Sequence, residues 1–228
     1  MRTLHQQATL KNNLNHIYQN IDKYKKNNQE VKLLAVTKTR PQKTVQQAID
    51  LGITCFGENK VQEAEKKFFN QENNIELHFI GHLQTNKVKK AVKIFDIIQT
   101  VDSLQLAQKI NLYAQANNCK QRIYCQVNIG DDPKKFGVHK SEVLEFLDKI
   151  KTLKHLSVEG LMTILPFNLS EEDNINLYNQ MQKLFQVAQR HNPQCKNLSM
   201  GMSSDYITAI QSGATIIRIG SGLFGERQ

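Results

Sequence analysis

The sequence predicts an α/β fold: a single-domain (β/α)8 TIM barrel covering 1–228, with an extra N-terminal helix. Three observations predict it. There are about eight short apolar runs of strand character, nearly all are separated by helical periodicity, and no low-complexity linker divides the 228 residues. Repeated βα units imply a parallel sheet with right-handed crossovers, and eight of them close most economically as a barrel. A doubly wound open sheet is the alternative, because periodicity does not report closure.

From about Thr3 to Asn27, Leu10, Leu14, Ile17 and Ile21 recur at three- and four-residue spacing, which predicts an amphipathic helix. "VKLLAVT" follows as a buried strand. Pro41 then opens a helix through Val45, Ala48, Ile49 and Leu51, and Gly52 stops it. "ITCFGE" is strand-like and Asn59 to Asn70 helical; "ELHFIG" is strand-like and Thr85 to Phe95 helical. "DIIQTVD" leads to Ser103, an N-cap for a helix through Leu104, Ala107, Ile110 and Leu112. "RIYCQVNI" is the clearest strand, rich in β-branched and aromatic residues. Then come a helix from Ser141, the strand "SVEGLMTI", a helix from about Glu171 to His191 and the strand "NLSMGM". A short helix from Asp205 and the strand "ATIIRIG" complete the series.

Composition narrows the function classes. The N-terminus lacks the unbroken apolar core of a signal peptide and no apolar run spans a bilayer, so a cytoplasmic protein without membrane contact is expected. Four cysteines, Cys55, Cys119, Cys125 and Cys195, form no CxxC pair and read as reduced structural thiols. His78 and His82 are four apart but straddle a strand end, where helical facing does not apply, so no metal is expected. A net charge of +9 raises a nucleic-acid hypothesis. The clusters "KYKK" and "KVKK" lie among apolar residues at helical spacing without aromatic stacking motifs, and read instead as solvated helix faces.

Active sites of such barrels lie at the carboxyl ends of the strands. Lys38 ends the first strand, where partial desolvation favours a neutral, nucleophilic amine able to form a Schiff base. The plainer reading is a solvated loop lysine. The seventh strand runs into "MGMSSD" and the eighth into "RIGSGLFG", small-residue loops where barrels often bind phosphate. Gly201, Ser203 and Ser204 lie after one, and Gly220, Ser221 and Gly222 after the other. Taken singly, each loop also reads as a glycine turn or a helix cap. Arg218, flanked by Ile216, Ile217 and Ile219, either joins a structural ion pair or faces a ligand at the barrel mouth.

Six blocks, "LLAVTKTRP", "FGENKVQEA", "LHFIGHLQTNK", "GLMTI", "LSMGMSSDY" and "RIGSGLFGER", stand in the order and spacing of the pyridoxal phosphate homeostasis family, which the chain resembles from about Val31 to Arg227. The resemblance implies a barrel like the N-terminal domain of alanine racemase, holding pyridoxal 5′-phosphate as an internal aldimine on Lys38. It further implies that Ser203, Gly220 and Ser221 hold the cofactor phosphate and that Arg218 faces the pyridine nitrogen. Asn59 and Met162 fall near the ring pocket, with an N-cap as the other reading of Asn59. Thr37 is within the family's usual choice of serine or threonine before the lysine. Gly222 stands where alanine is frequent, a change that loosens the loop without removing a ligand.

An arginine at the pyridine nitrogen keeps that nitrogen unprotonated and weakens the cofactor as an electron sink. A two-base racemase also needs a second acid/base, which in alanine racemase comes from an additional domain, and the chain ends at "FGERQ" just after the eighth strand. The expected function is therefore a non-catalytic, monomeric carrier of pyridoxal 5′-phosphate in vitamin B6 and amino-acid homeostasis. Cofactor-dependent apoenzymes are the expected recipients. A racemase of weak activity, with Tyr113, Tyr124 or Tyr206 as second base, is the alternative. A barrel aldolase using Lys38 on a sugar phosphate is a third.

Overall fold

Nine strands of the computed structural model, which describes residues 2–68 and 75–226, form one all-parallel sheet. They are β1 (Lys32–Val36), β2 (Cys55–Glu58), β3 (Glu76–Phe79), β4 (Ile97–Val101), β5 (Gln121–Asn128), β6 (Val138–His139), β7 (Leu156–Thr163), β8 (Asn197–Ser199) and β9 (Ile216–Ile219). Eight of them close into a ring in chain order, with β7 following β5 directly, and β9 returns to β1 through the pairs Leu33↔Ile217 and Leu34↔Arg218. The sheet is therefore a closed barrel, not an open doubly wound sheet. The ninth, two-residue β6 hangs on the end of β5 through Val127↔Val138 and was not expected from its composition.

Helices α1 (Arg2–Tyr24), α2 (Gln42–Asp50), α3 (Val61–Phe68), α4 (Val88–Ile94), α5 (Leu104–Ala116), α6 (Val143–Lys151), α7 (Glu171–His191), α8 (Tyr206–Gln211) and α9 (Ser221–Phe224) accompany the strands. Ser103 caps α5 as expected, its side chain accepting from the Leu106 N–H at 3.3 Å. The helix expected from Ser141 instead opens with a 3-10 turn over Lys140–Glu142. The expected helix from Asn59 begins at Val61, and its last two residues, Phe69 and Asn70, lie outside the described residues. Strand β8 stops at Ser199, short of the expected run through Met202, because Gly201 turns the chain at φ +90°.

Alternation along the strands divides the core in two. Leu34, Val36, Cys55, Ile97, Tyr124, Met162 and Ile216 fill the barrel. Their neighbours Leu33, Ala35, Phe56, Ile98, Leu161 and Ile217 face the helical shell. The four periodic residues of α1, Leu10, Leu14, Ile17 and Ile21, are all buried in that shell, each burial being worth roughly 2 kcal/mol. Polar bonds fix where α1 sits: Asn13 Nδ2 donates to the Leu223 carbonyl at 3.0 Å and Asn20 Nδ2 to the Tyr206 hydroxyl at 2.7 Å. The extra helix thus braces the elements after β8 and β9.

Candidate functional site

Leu34 and Val36 face the barrel interior and Ala35 the shell, so the two-residue period turns Thr37 outward, and Lys38 follows in the turn at the carboxyl end of β1. Lys38 is half-buried there. Its two neighbours are anchored on the outer side. The Thr37 hydroxyl donates to Glu58 Oε1 at 2.7 Å, and Lys67 Nζ donates to the Thr37 carbonyl at 2.7 Å, Glu58 Oε1 at 2.8 Å and Glu63 Oε2 at 3.2 Å. The Thr39 N–H donates to Glu63 Oε2 at 2.9 Å, holding a non-glycine residue at φ +63°. Left-handed backbone at such a residue costs roughly 1–2 kcal/mol, so this bond helps fix the turn out of β1. Burial pushes the Glu58 carboxyl up, opposed by the bonds from Lys67 and Thr37, while the Thr39 N–H draws Glu63 down.

Around the ring, the loops after β8 and β9 meet. Ser203 Oγ accepts from the Gly222 N–H in the first turn of α9 at 3.1 Å, joining the two small-residue loops directly. Asp205 braces the first of them, accepting from the Met202 N–H at 2.6 Å and from the Tyr178 hydroxyl at 2.8 Å. Gly220 lies beside β1, where an added Cβ would stand 3.6 Å from Val36 Cβ. Gly220 and the exposed Ser221 thus occupy the start of α9 at the same barrel end as Lys38, where helix amides lack intrahelical partners.

Arg218 faces inward between Ile216 and Gly220 and is 4 % exposed. Its partners are neutral: Nη1 donates to Ser199 Oγ and Nη2 to the Thr163 carbonyl, both at 2.8 Å. Among the described residues no salt bridge involves it, so the expected alternative of a structural ion pair is not what the barrel contains. Burial lowers its pKa to about 10, leaving it a cation at neutral pH.

Met162 is fully buried among the interior residues. Asn59 follows β2, and its Oδ1 is buried without a hydrogen-bond partner, a cost of roughly 1–3 kcal/mol that a ligand donor would relieve. The N-cap reading of Asn59 fails because the Lys60 carbonyl accepts the first helical bond, from Ala64 N–H at 3.2 Å. A lysine at a strand end, an inward cation, paired glycine-serine loops and an orphaned acceptor at one barrel end fit a ligand carrying an aldehyde, a ring and a phosphate.

The candidate second bases lie elsewhere. Tyr113 packs on the shell, the Tyr206 hydroxyl takes the bond from Asn20, and Tyr124 is buried inside the barrel edge-on to His78, its hydroxyl pKa raised by that burial. The two histidines separate: His82 stacks on Phe136 at 3.7 Å between centroids, while His78 is buried at the opposite end. There, Cys55, Glu76 and His78 bring potential metal-ligand atoms within 4.8 Å. His78 Nδ1 receives the Gln99 amide at 2.6 Å and Nε2 lies 2.8 Å from Glu76 Oε1, so Nε2 carries the ring proton and has no lone pair for a metal. Burial also raises the Cys55 thiol, keeping it protonated. Sequence reasoning missed this polar interior, whose signal was a lone polar residue in each of several apolar strands. No helix among the described residues is long and apolar enough to cross a membrane.

Residues 12–228 match the family described as alanine racemase, N-terminal domain. The pyridoxal phosphate homeostasis protein of Haemophilus influenzae is 38% identical over 229 residues, covering 96% of each chain. That of Escherichia coli K12 is 35% identical, covering 87% of each. Among solved structures, PipY of Synechococcus elongatus with PLP bound superposes with a TM-score of 0.78 at 34% identity, covering 86% of this chain and 92% of that one. The alanine racemase of Clostridium difficile 630 with cycloserine shares the fold at a TM-score of 0.80 and 16% identity, covering 96% of this chain and 60% of that one.

Proposed function

This chain belongs to the pyridoxal phosphate homeostasis protein family, and from that membership we propose that it holds pyridoxal 5′-phosphate on Lys38 as a carrier rather than a catalyst. The observation that carries the reading is the placing at one barrel end of Lys38, inward Arg218 and the joined loops of Ser203 and Gly222. When bound, the cofactor supplies an aldehyde that an amine captures as a Schiff base and a ring that withdraws electrons. Lys38 provides that amine, with its backbone set by the Thr37 and Thr39 anchors. Ser203, Gly220 and Ser221 supply hydroxyl and backbone donors for the phosphate. Asn59 and Met162 border the ring. Arg218, a buried cation, disfavours a second positive charge on the pyridine nitrogen and so limits carbanion chemistry.

The positions of Tyr113, Tyr124 and Tyr206 favour the carrier over a racemase, since none brings its hydroxyl to the mouth as a second base. Family membership sets aside the aldolase. The chain acts in this reading as a cytoplasmic monomer in vitamin B6 and amino-acid homeostasis, passing cofactor to dependent apoenzymes. Borohydride reduction of protein incubated with pyridoxal 5′-phosphate, followed by peptide mapping, is the direct test. A visible absorption band and a pyridoxyl adduct on Lys38 are expected; excess cofactor leaving no adduct there overturns the reading.

A further inference from the structure

Arg218 does not end at its two neutral partners. Ser199 Oγ, which accepts from Arg218 at 2.8 Å, lies 2.7 Å from Gln99 Oε1 and can give its single proton there. That fixes the Gln99 amide, whose nitrogen then donates to His78 Nδ1 at 2.6 Å. His78 must therefore carry its proton on Nε2, donated to Glu76 Oε1 at 2.8 Å. The chain ends on a carboxylate that also accepts from Lys32 Nζ and Arg122 Nη1, both at 2.9 Å. Arg218, Ser199, Gln99 and His78 are all buried and come from β9, β8, β4 and β3, so the chain crosses the barrel from one end to the other.

Every donor in this chain points the same way, from the cation toward the carboxylate. Each link places its acceptor end toward Arg218, and bonds aligned head to tail polarise one another. The effect is to compensate a buried guanidinium without putting a carboxylate against it. An Asp or Glu at that place would neutralise the charge and compete for the guanidinium donors.

We propose that Ser199, Gln99 and His78 are positioning residues that act as one relay, holding the Arg218 guanidinium oriented toward the cofactor ring. The proposal rests on the cofactor reading above. It predicts that a change at one link is felt two links away, which a merely space-filling role does not. Ser199→Ala touches neither His78 nor the loops that meet at Gly222, yet it frees the Gln99 amide to turn over.

The test has two arms. In protein without cofactor, nitrogen NMR of the His78 ring is expected to show the Nε2–H tautomer alone in the parent and Ser199→Thr proteins. In Ser199→Ala the Glu76 carboxylate still holds the proton on Nε2, but the Nδ1 resonance is expected to move as the Gln99 amide loses its alignment, and an unmoved Nδ1 shift there overturns the relay. In the second arm, pyridoxal 5′-phosphate is titrated into parent, Ser199→Ala and Gln99→Leu proteins. The adduct on Lys38 is expected in all three, with affinity about tenfold weaker in both variants, in line with loss of a bond to a charged group, and restored in Ser199→Thr. Losses in the double variant are expected to be far smaller than the product of the single ones. Equal affinity in all proteins overturns the positioning role, and no adduct even in the parent overturns the cofactor reading instead, a failure the tautomer arm separates from that of the relay.

Discussion

At the scale of single residues, Lys67 bears most directly on the proposed anchor. Among the described residues it is the one cation paired with Glu58, whose side chain is fully buried and whose Oε2 already lacks a hydrogen-bond partner. Lys67→Met therefore leaves a buried carboxylate uncompensated, and a loss of about 3–5 kcal/mol is expected at pH 7. The sign with pH follows from the direction of the Glu58 shift. Burial already raises that carboxyl, and without Lys67 it rises further above its unfolded value of about 4.3. Folding then takes up a proton, so the variant's stability falls as pH rises from the unfolded value toward the folded one. The deficit relative to the parent should be largest at pH 7 and shrink toward pH 5, measured as urea midpoints. An equal deficit at both pH values would mean that Glu58 is not the group left behind.

At the scale of elements, the turn out of β8 depends on a residue that carries no side chain. Gly201 sits at φ +90° and an added Cβ would stand 2.6 Å from Ala209 Cβ on α8, whereas Gly52, at φ +84°, has nothing within 4 Å. Both alanine substitutions incur the left-handed backbone cost of roughly 1 kcal/mol, but only Gly201→Ala adds overpacking, for a total of about 2–4 kcal/mol. Thermal melts of the two variants isolate the α8 contact as the difference, and equal melting temperatures would show that α8 yields freely. Strands such as "KLLAV" and "IIRI" were legible because a barrel buries both strand faces and leaves near-continuous apolar runs. Lys38 stood out for the opposite reason, a charge closing such a run just before Pro41. The two-residue β6 offers no run to read, and the Glu58–Lys67 pair joins a strand to a helix nine residues on, a spacing with no helical or strand period. Gln99, His78 and Ser199 were visible as polar residues in apolar strands; Gln99 and His78 sit on the neighbouring β4 and β3, but Ser199 reaches Gln99 across the barrel from β8, a pairing that emerges only with closure.

At the scale of the whole molecule, the end of the barrel away from Lys38 is held by charge around Glu76. Lys32 of β1, His78 of β3 and Arg122 of β5 all meet its carboxylate, and Arg122 also reaches Glu159 of β7 at 2.8 Å, so strands spaced around the ring share one network. The His78 hydrogen bond, with Lys32 and Arg122, holds the Glu76 carboxyl far below the usual range, and burial holds His78 below its own. Both folded values are depressed, so each contribution is present above the unfolded value and lost as pH falls. Acidification should therefore erode stability in two stages, beginning as the unfolded histidine protonates below about 6.5 and steepening below about 4.3 as unfolded glutamates do. Glu76→Gln keeps the shape but removes the charge, and a loss of about 1–3 kcal/mol at pH 7 is expected. Its curve should then run flatter than the parent's below pH 4.3, the two converging toward pH 3, in urea midpoints taken from pH 7 to 3. Parallel curves over that range would locate the acid sensitivity in other carboxylates and leave the Glu76 network a matter of packing. Convergence would mean that the barrel is closed electrostatically at one end, leaving the other end to hold a ligand.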